Sequence, residues 1–524
     1  MRKNGNEIGR DFRTQPVAAT WLTVLATASG VALPGAVPDA AADSSRVEEQ
    51  PMKERAVTGT GGFILAQFQL PNPSAAQDTQ SAAKDTPPAT VDLQPAQGER
   101  RPRLLHGVLE YQYALGSESD ITYRRNPDTN RRVRDHALIV APQMNGYITY
   151  RPNARVEMTL ELILEREFDA QVQKVLVLPN GDTRLAQRKR TSFLVDQGFV
   201  TLKHAPFELL FGRKNFEDER HWLYDTSLDT VLARYRQGVF QAEASVSRKD
   251  KWDLDLARNV ARGRVNNYML YMTYRGIEDL KLNGYVVKND DRAKVEGRPI
   301  IFGASVMGNP SNNFSYWAEH AYVRGQDELR RRLSGYAGDV GGTYRFLDTP
   351  FRPNVTLGAA FGSGDKNSND NRNHAFRQTG LQSNESRNAG VAKFKTYGEV
   401  LDPELSNLAI YTAAIGFQPA PGITADVVYH RYRLHKLAEE IRNSPITAEL
   451  NQVDVLQSKD VGQALDVVLG FRQLFGVRRL GLDLRMGVLF PGAAYLRNDG
   501  DDVKPIYRKG EKSYVMVAKI WYLF

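Results

Sequence analysis

The chain has 524 residues, no cysteine, 69 basic against 61 acidic side chains and a formal charge of +8. Lack of cysteine excludes a disulfide framework, thiolate zinc sites and cysteine nucleophiles. At 41% hydrophobic and 25% charged residues, the chain does not carry the several apolar runs of roughly 18 residues that a polytopic helical membrane protein needs, and so mild a positive excess does not argue for nucleic acid.

Residues 1–42 read as an export signal. Arg2, Lys3, Arg10 and Arg13 form a basic start, Val17 to Ala36 is mostly apolar, and Ala40, Ala41 and Ala42 precede Asp43 as a small-residue cleavage site. A single membrane anchor is the competing reading, weakened by Pro34 and Pro38. A second apolar run, Gly61 to Ala66, follows Lys53 and Arg55, so translation from Met52 is an alternative start with the same consequence, export. Residues 43–100 are rich in Ser, Ala, Gln, Pro, Asp and Thr. A segment so poor in large apolar groups cannot offset its ordering entropy, and it reads as a disordered linker.

From Leu104 onward the apolar pattern has period two. Val156, Met158, Leu160, Leu162 and Leu164 share one face, and Arg155, Glu157, Thr159, Glu161 and Glu165 the other. Residues 479–490 repeat the pattern, and the last strand, 513–524, ends on Phe524. The first strand is expected at 104–113, and about eighteen are expected by the end. Connections alternate between short ones, such as 204–206 and 474–478, and long polar ones. That asymmetry predicts an all-β fold: a transmembrane antiparallel β-barrel of about 18 strands, residues 101–524, with short periplasmic turns and long extracellular loops. Tyr274, Tyr429, Trp521 and Tyr522 fall near strand ends, where aromatic girdles belong. The expected location is the outer membrane of a Gram-negative cell, and a single barrel of this width needs no second copy to close it, so a monomer is expected.

The inward faces would carry Arg155, Arg213, Arg275, Arg345, Arg472, Arg485 and Lys519, with Glu161, Asp466 and Asp483 among them. Guanidinium forks match carboxylates. A ladder of them would pass a carboxylated polymer by exchanging partners, the acidic groups preventing overly tight binding. Each such residue is equally accounted for as a solvated or ion-paired wall charge. No catalytic spacing emerges: His430 and Tyr432 alternate with Arg431 on one strand, and Gly362 to Asp365 leads from a strand into a polar loop without a helix, unlike a phosphate-binding loop. No catalytic residue, metal site or cofactor is expected. Asn367, Asn369, Asp370 and Asn371 read as a solvated loop rather than a calcium site. Arg330, Arg331 and Arg332 form a basic outer run, either solvated or set against lipopolysaccharide phosphates.

Residues 361–417 carry a more specific pattern: Phe361-Gly-Ser-Gly-Asp-Lys-Asn, then Ala375-Phe-Arg-Gln-Thr-Gly-Leu-Gln-Ser-Asn384, then Tyr397-Gly-Glu-Val-Leu-Asp-Pro-Glu-Leu-Ser-Asn-Leu408. With Leu210-Phe-Gly-Arg-Lys214, Tyr429-His-Arg-Tyr-Arg433 and Gly462-Gln-Ala-Leu-Asp466, the stretch from 104 to 524 resembles the alginate export family of outer-membrane porins. The resemblance implies an arginine-rich constriction and passive passage of a polyuronate chain from periplasm to surface. It places Arg213 in the lumen and adds Arg377, in Phe-Arg-Gln-Thr-Gly, as a pore candidate. Tyr397, Glu399, Asp402 and Glu404 match without assignable roles. The connection 474–478 is too short for the long periplasmic turn described for the family, which leaves 43–100 as the segment available to occlude the periplasmic mouth. The expected function is export of alginate or a similar anionic polysaccharide; the alternative is an anion-selective porin importing acidic oligosaccharides. Expected partners are the polysaccharide, outer-membrane lipid and lipopolysaccharide, and candidate periplasmic proteins of a secretion complex, with no nucleic acid.

Overall fold

The computed structural model describes residues 110–125, 136–177, 183–249, 256, 265–291, 297–366, 370–446, 450–451, 456–498, 507–508 and 512–524. The export signal, the linker and Asn367 and Asn369 of the polar loop lie outside the described residues.

Eighteen long strands follow one another in chain order: β1 (Glu110–Arg125), β2 (His136–Asn153), β3 (Val156–Val177), β4 (Thr183–His204), β5 (Phe207–Glu217), β6 (Asp225–Gln237), β7 (Phe240–Arg248), β8 (Val265–Ile277), β9 (Leu280–Asp291), β10 (Arg298–Ser311), β11 (Phe314–Gln326), β12 (Arg332–Arg345), β13 (Asn354–Gly362), β14 (Leu408–Ala420), β15 (Ile423–Leu434), β16 (Asp460–Arg472), β17 (Leu480–Pro491) and β18 (Ser513–Leu523). Each pairs antiparallel with the next. The circle closes where β1 meets β18, from Gly116 opposite Leu523 to Arg125 opposite Tyr514. Closure leaves no unpaired edge, which hydrocarbon requires because it offers backbone groups no hydrogen bonds. The expected strands appear in order. Of the first, expected at 104–113, residues 110–113 are strand, within Glu110–Arg125, and 104–109 lie outside the described residues.

Side-chain alternation sorts as the period-two pattern predicts. On β3, Met158, Leu160 and Leu164 are 41, 40 and 48% exposed, while Thr159 and Glu161 are buried. The outward residues meet lipid and the others face the lumen. Short turns join β2 to β3, β4 to β5, β6 to β7 and so on, and the carboxyl terminus lies at their end, where the Phe524 amide donates to the Leu115 carbonyl (2.8 Å). That end is periplasmic. Tyr274 and Tyr429 stand exposed on the outward face as expected. Trp521 does not: it packs against Gly481 and under the Arg472 guanidinium, inside the barrel.

The buried apolar cluster sits inside the cylinder. It joins wall residues such as Leu210, Leu228, Leu232 and Ile301 to Trp222, Phe376, Tyr397, Leu401 and Leu405 from the connections 218–224 and 363–407. These two connections, which leave from the extracellular strand ends, fold inward.

Candidate functional site

The connection 218–224 is organised by one carboxylate. Asp218 accepts from the amides of Arg220 (3.3 Å), Trp222 (3.2 Å), Leu223 (2.8 Å) and Tyr224 (2.9 Å). Burial pushes the Asp218 carboxyl up, and these amides pull it back toward the ionised form. The turn points Arg220 across the lumen. Its guanidinium donates to Asp339 on β12 (3.2 Å) and lies over the Trp317 ring of β11, 4.1 Å from the centroid. Tyr397 donates to the same Asp339 carboxylate (2.8 Å) and accepts from Trp222 Nε1 (2.7 Å), tying the two inward connections together.

The connection 363–407 reaches toward the periplasmic ends of β15 and β16. The Val391 amide donates to Thr424 Oγ1 (3.0 Å), and Arg472 donates to the Val391 carbonyl (2.6 Å). Ala392 and Phe394 pack on Ala414, Val428 and Val468 of the wall. Two wall glycines make room. A Cβ at Gly470 would come within 2.6 Å of Val391, and one at Gly487 within 2.9 Å of Val400. Arg485 holds two carboxylates of the loop, Glu385 (3.2 Å) and Glu399 (3.6 Å). Lys395 bridges Glu385 (3.5 Å) and Asp402 (3.3 Å), and the Glu399 amide donates to Asp466 on β16 (3.0 Å), itself 3.4 Å from His430 Nε2. Burial disfavours charge on each loop group, yet neighbours decide the outcome. Lys395 and Arg485 hold Glu385 well below the usual carboxylate range, and Asp402 and Glu385 push Lys395 up to about 12. For Glu399 burial wins over Arg485, and its carboxyl is raised.

Across the opposite arc the wall carries an alternating ladder near the periplasmic turns. Glu157 accepts from Arg151 and Lys203 (2.7 Å each), and Arg234 links Glu208 (3.0 Å) to Glu243 (2.8 Å). Arg151 and Lys203 keep 30 and 38% of their side-chain surface in solvent, so this arc is not sealed by the loops.

The structure places the expected pore residues in distinct settings. Lys519 pairs with Glu118 (2.5 Å), Arg472 with Asp483 (3.3 Å from Nη2), and Glu161 accepts from Gln197 (2.6 Å); all face the lumen, as do Arg485 and Asp466. Arg345 faces the lumen at the periplasmic end of β12, with no ion-pair partner among the described residues. Arg155 stands exposed in the turn between β2 and β3, and Arg275 is exposed where β8 ends, so both belong to the rim rather than the wall. Arg377, itself on the connection 363–407, pairs with Glu328 (3.0 Å) of the connection between β11 and β12. Arg213 is buried and pairs with Asp229 (3.2 Å), one position beyond Gly212, where φ turns positive, and unlike Phe211 and Val231 of the same strands neither is exposed.

Other groups carry no sequence signal of their own. Asp218, Arg220 and Glu385 look like ordinary loop charges. At the periplasmic rim Arg236, Arg352 and Arg478 stand exposed beside Arg155 and Arg275. Reading every short turn for charge, rather than only the strands, would have found them. Glu217, His221 and Asp225 bring three metal-ligand atoms within 4.8 Å of one another. The Lys393 ammonium lies 3.4 Å from His221 Nε2, where a cation would sit, so the donor set is already neutralised by the chain.

A family model described as Alginate export matches residues 105–506. Alginate production protein AlgE of Azotobacter vinelandii is 29% identical over 178 residues, 31% of this chain and 36% of that protein. AlgE of Pseudomonas syringae pv. tomato is 24% identical over 359 residues, 57% of this chain and 70% of that protein. The chain thus aligns with little more than a third of the first relative and over two thirds of the second. Among solved structures, Pseudomonas aeruginosa OpdQ covers 79% of this chain and 97% of itself at a TM-score of 0.51 and 10% identity. The outer membrane protein opdK of the same organism covers 80% and 100% at 0.50 and 11%. These two likenesses concern the fold alone. With its family model spanning all but the ends, and with an outer-membrane barrel beneath it, the chain belongs to the alginate export family.

Proposed function

We propose that this protein conducts alginate, or a polyuronate like it, from the periplasm through the outer membrane, with no bond made or broken. The observation that carries the reading is the periplasmic rim. Arg155, Arg236, Arg275, Arg352 and Arg478 are exposed there without an ion-pair partner among the described residues, against Glu278, Asp279 and Asp348. Guanidinium groups left free at a mouth raise the local concentration of a polyanion and present forks to its carboxylates. The polymer next meets Arg345 and the half-exposed ladder of Arg151 and Lys203, where a uronate carboxylate can replace the shared Glu157. Arg472 and Arg485 stand beside this path but are committed to Asp483, Glu385, Glu399 and the Val391 carbonyl. Passage of a thick chain therefore requires the inward connection to move aside.

Transport of this kind needs no cofactor and no catalytic group, and a closed barrel is a sufficient unit as a monomer. Residues 1–42 act in this reading as the export signal and 43–100 as a periplasmic linker. Planar-bilayer recording tests it. Anion preference is expected, with block by soluble polyuronate at lower concentration from the short-turn side. Replacing Arg155, Arg275 and Arg478 together by Gln is expected to raise the blocking concentration about tenfold, roughly 0.5 kcal/mol for each exposed charge. Cation preference, or no block from either side, overturns the reading.

A further inference from the structure

The outward face of β9 to β12 carries a second cationic feature, unrelated to the lumen. Strand register sets Tyr268, Lys288, Ile300, Arg324 and Ser334 in one row across β8 to β12, because directly opposed residues share a face. The row beneath is Leu270, Val286, Phe302, Tyr322 and Tyr336, all on the lipid side, and Phe302 packs on Tyr322 at 5.5 Å. Above stand Arg298 and Arg332, both exposed. A basic row therefore lies directly over an aromatic belt, on the extracellular side.

The height fits a headgroup. Outward positions of β10 from Gly308 to Ile300 are apolar or small, a run of about 26 Å along the strand, or about 20 Å of height at the tilt of such strands, which brings its upper end to the edge of an apolar band about 25 Å tall. Lys288 and Arg324 flank Ile300 at the top of that run. A cation facing mid-bilayer is strongly disfavoured, and one at the interface is not. Both cations are oriented by rings. Lys288 Nζ lies 5.8 Å from the Tyr268 centroid and Arg324 Cζ 5.2 Å from that of Tyr322, whose hydroxyl is fixed on Ser334 Oγ (2.7 Å). Neither has an ion-pair partner among the described residues. Arg298 does, Asp290 at 3.1 Å, the one carboxylate on this part of the outward face among the described residues. Two strand spacings, roughly 10 Å, separate Lys288 from Arg324, a gap that their side chains span from both sides.

We propose that this face binds the phosphate groups of an outer-leaflet glycolipid, with Lys288 and Arg324 as the primary contacts, Arg298 and Arg332 above them, and the acyl chains along Phe302 and Tyr336. Uncompensated, ring-oriented cations at the interface are what a phosphorylated lipid recognises, whereas a merely solvated rim needs neither the belt nor the spacing. The proposal stands independently of what passes through the lumen.

The test is native mass spectrometry of the full chain in detergent, titrated with bisphosphorylated lipid A, its dephosphorylated form, or inorganic phosphate. Saturable binding of lipid A is expected, with the dephosphorylated lipid at least tenfold weaker and inorganic phosphate failing to compete. Lys288→Glu and Arg324→Glu should each weaken lipid A binding about fivefold or more, the size expected for one cation against an anionic lipid. Arg433→Glu, an exposed position elsewhere on the barrel, should change it less than twofold. Heat-modifiable gel mobility verifies that each variant retains its barrel. Equal binding of both lipids, wild-type affinity in both variants, an equal loss in Arg433→Glu, or competition by inorganic phosphate each overturns the proposal.

Discussion

Asp218 organises the connection 218–224. Its two oxygens serve four amides, and that arrangement aims Arg220 at Asp339 and buries Trp222 against Phe376 and Tyr397. Asp218→Ala leaves those buried donors unsatisfied and is expected to cost about 3 kcal/mol locally. The measurement is Trp222 emission, read in a variant whose other tryptophans are replaced: a red shift and a lowered urea midpoint are expected, with Asp218→Asn giving a smaller change. Unchanged emission in Asp218→Ala sinks the idea. At this scale the sequence was partly legible. Period two placed Arg472, Arg485, Lys519, Glu161, Asp466 and Asp483 toward the lumen because side-chain direction along a strand is a local property. Their pairing was not legible, since Arg485 finds Glu385 a hundred positions away in sequence.

The connection 363–407 is an element without regular structure of its own apart from two-residue bridges, yet it is bound to the wall by apolar contacts, backbone hydrogen bonds and ion pairs together. Its motion is the step that the proposed transport requires. The chain has no cysteine, so a disulfide can be introduced without interference. A Cβ at Gly390 would lie 3.1 Å from Thr424 Oγ1, close enough for two sulfurs to bond once the Asp426 carboxylate that also crowds that Cβ turns aside. Gly390→Cys with Thr424→Cys is expected to form one under mild oxidation, to leave basal conductance near the wild-type value, and to stop polyuronate from entering. Reductant should restore entry. Polymer block that is indifferent to oxidation would show that the connection stays docked during passage. The strands themselves were legible as eighteen because an apolar face meeting lipid leaves a strong alternating signal. The continuation of the first strand past residue 113 was not legible, for the converse reason. β1 faces the lumen with Glu118 and Asp120, which become tolerable only beside Lys519 of the last strand.

At the level of the whole molecule, the inward connections fill one side of a wide barrel, and the charges that hold them set its response to pH. Glu385 is depressed below its ordinary value of 4.5, so its ion pairs stabilise the docked arrangement at every pH above that value and are lost only as pH falls through the depressed one. Lys395 is raised, so its contribution is complete below 10.5 and is lost as pH rises through about 12. Glu399 is raised by burial, and mild acid therefore relieves rather than weakens the docked arrangement. Conductance is expected to stay level between about pH 5 and pH 9 and to rise only near the alkaline limit; a steep rise between pH 5 and 7 would contradict these assignments. The amino-acid sequence by itself determined the exported barrel, its strand succession, its inner and outer faces and its short-turn end, because each depends on neighbours along one strand or turn. Only the tertiary structure decided which cations remain free. That depends on carboxylates brought from distant connections: among the described residues Arg472, Arg485 and Lys519 on the wall are paired, whereas Arg155, Arg236, Arg275, Arg352 and Arg478 at the periplasmic rim have no ion-pair partner.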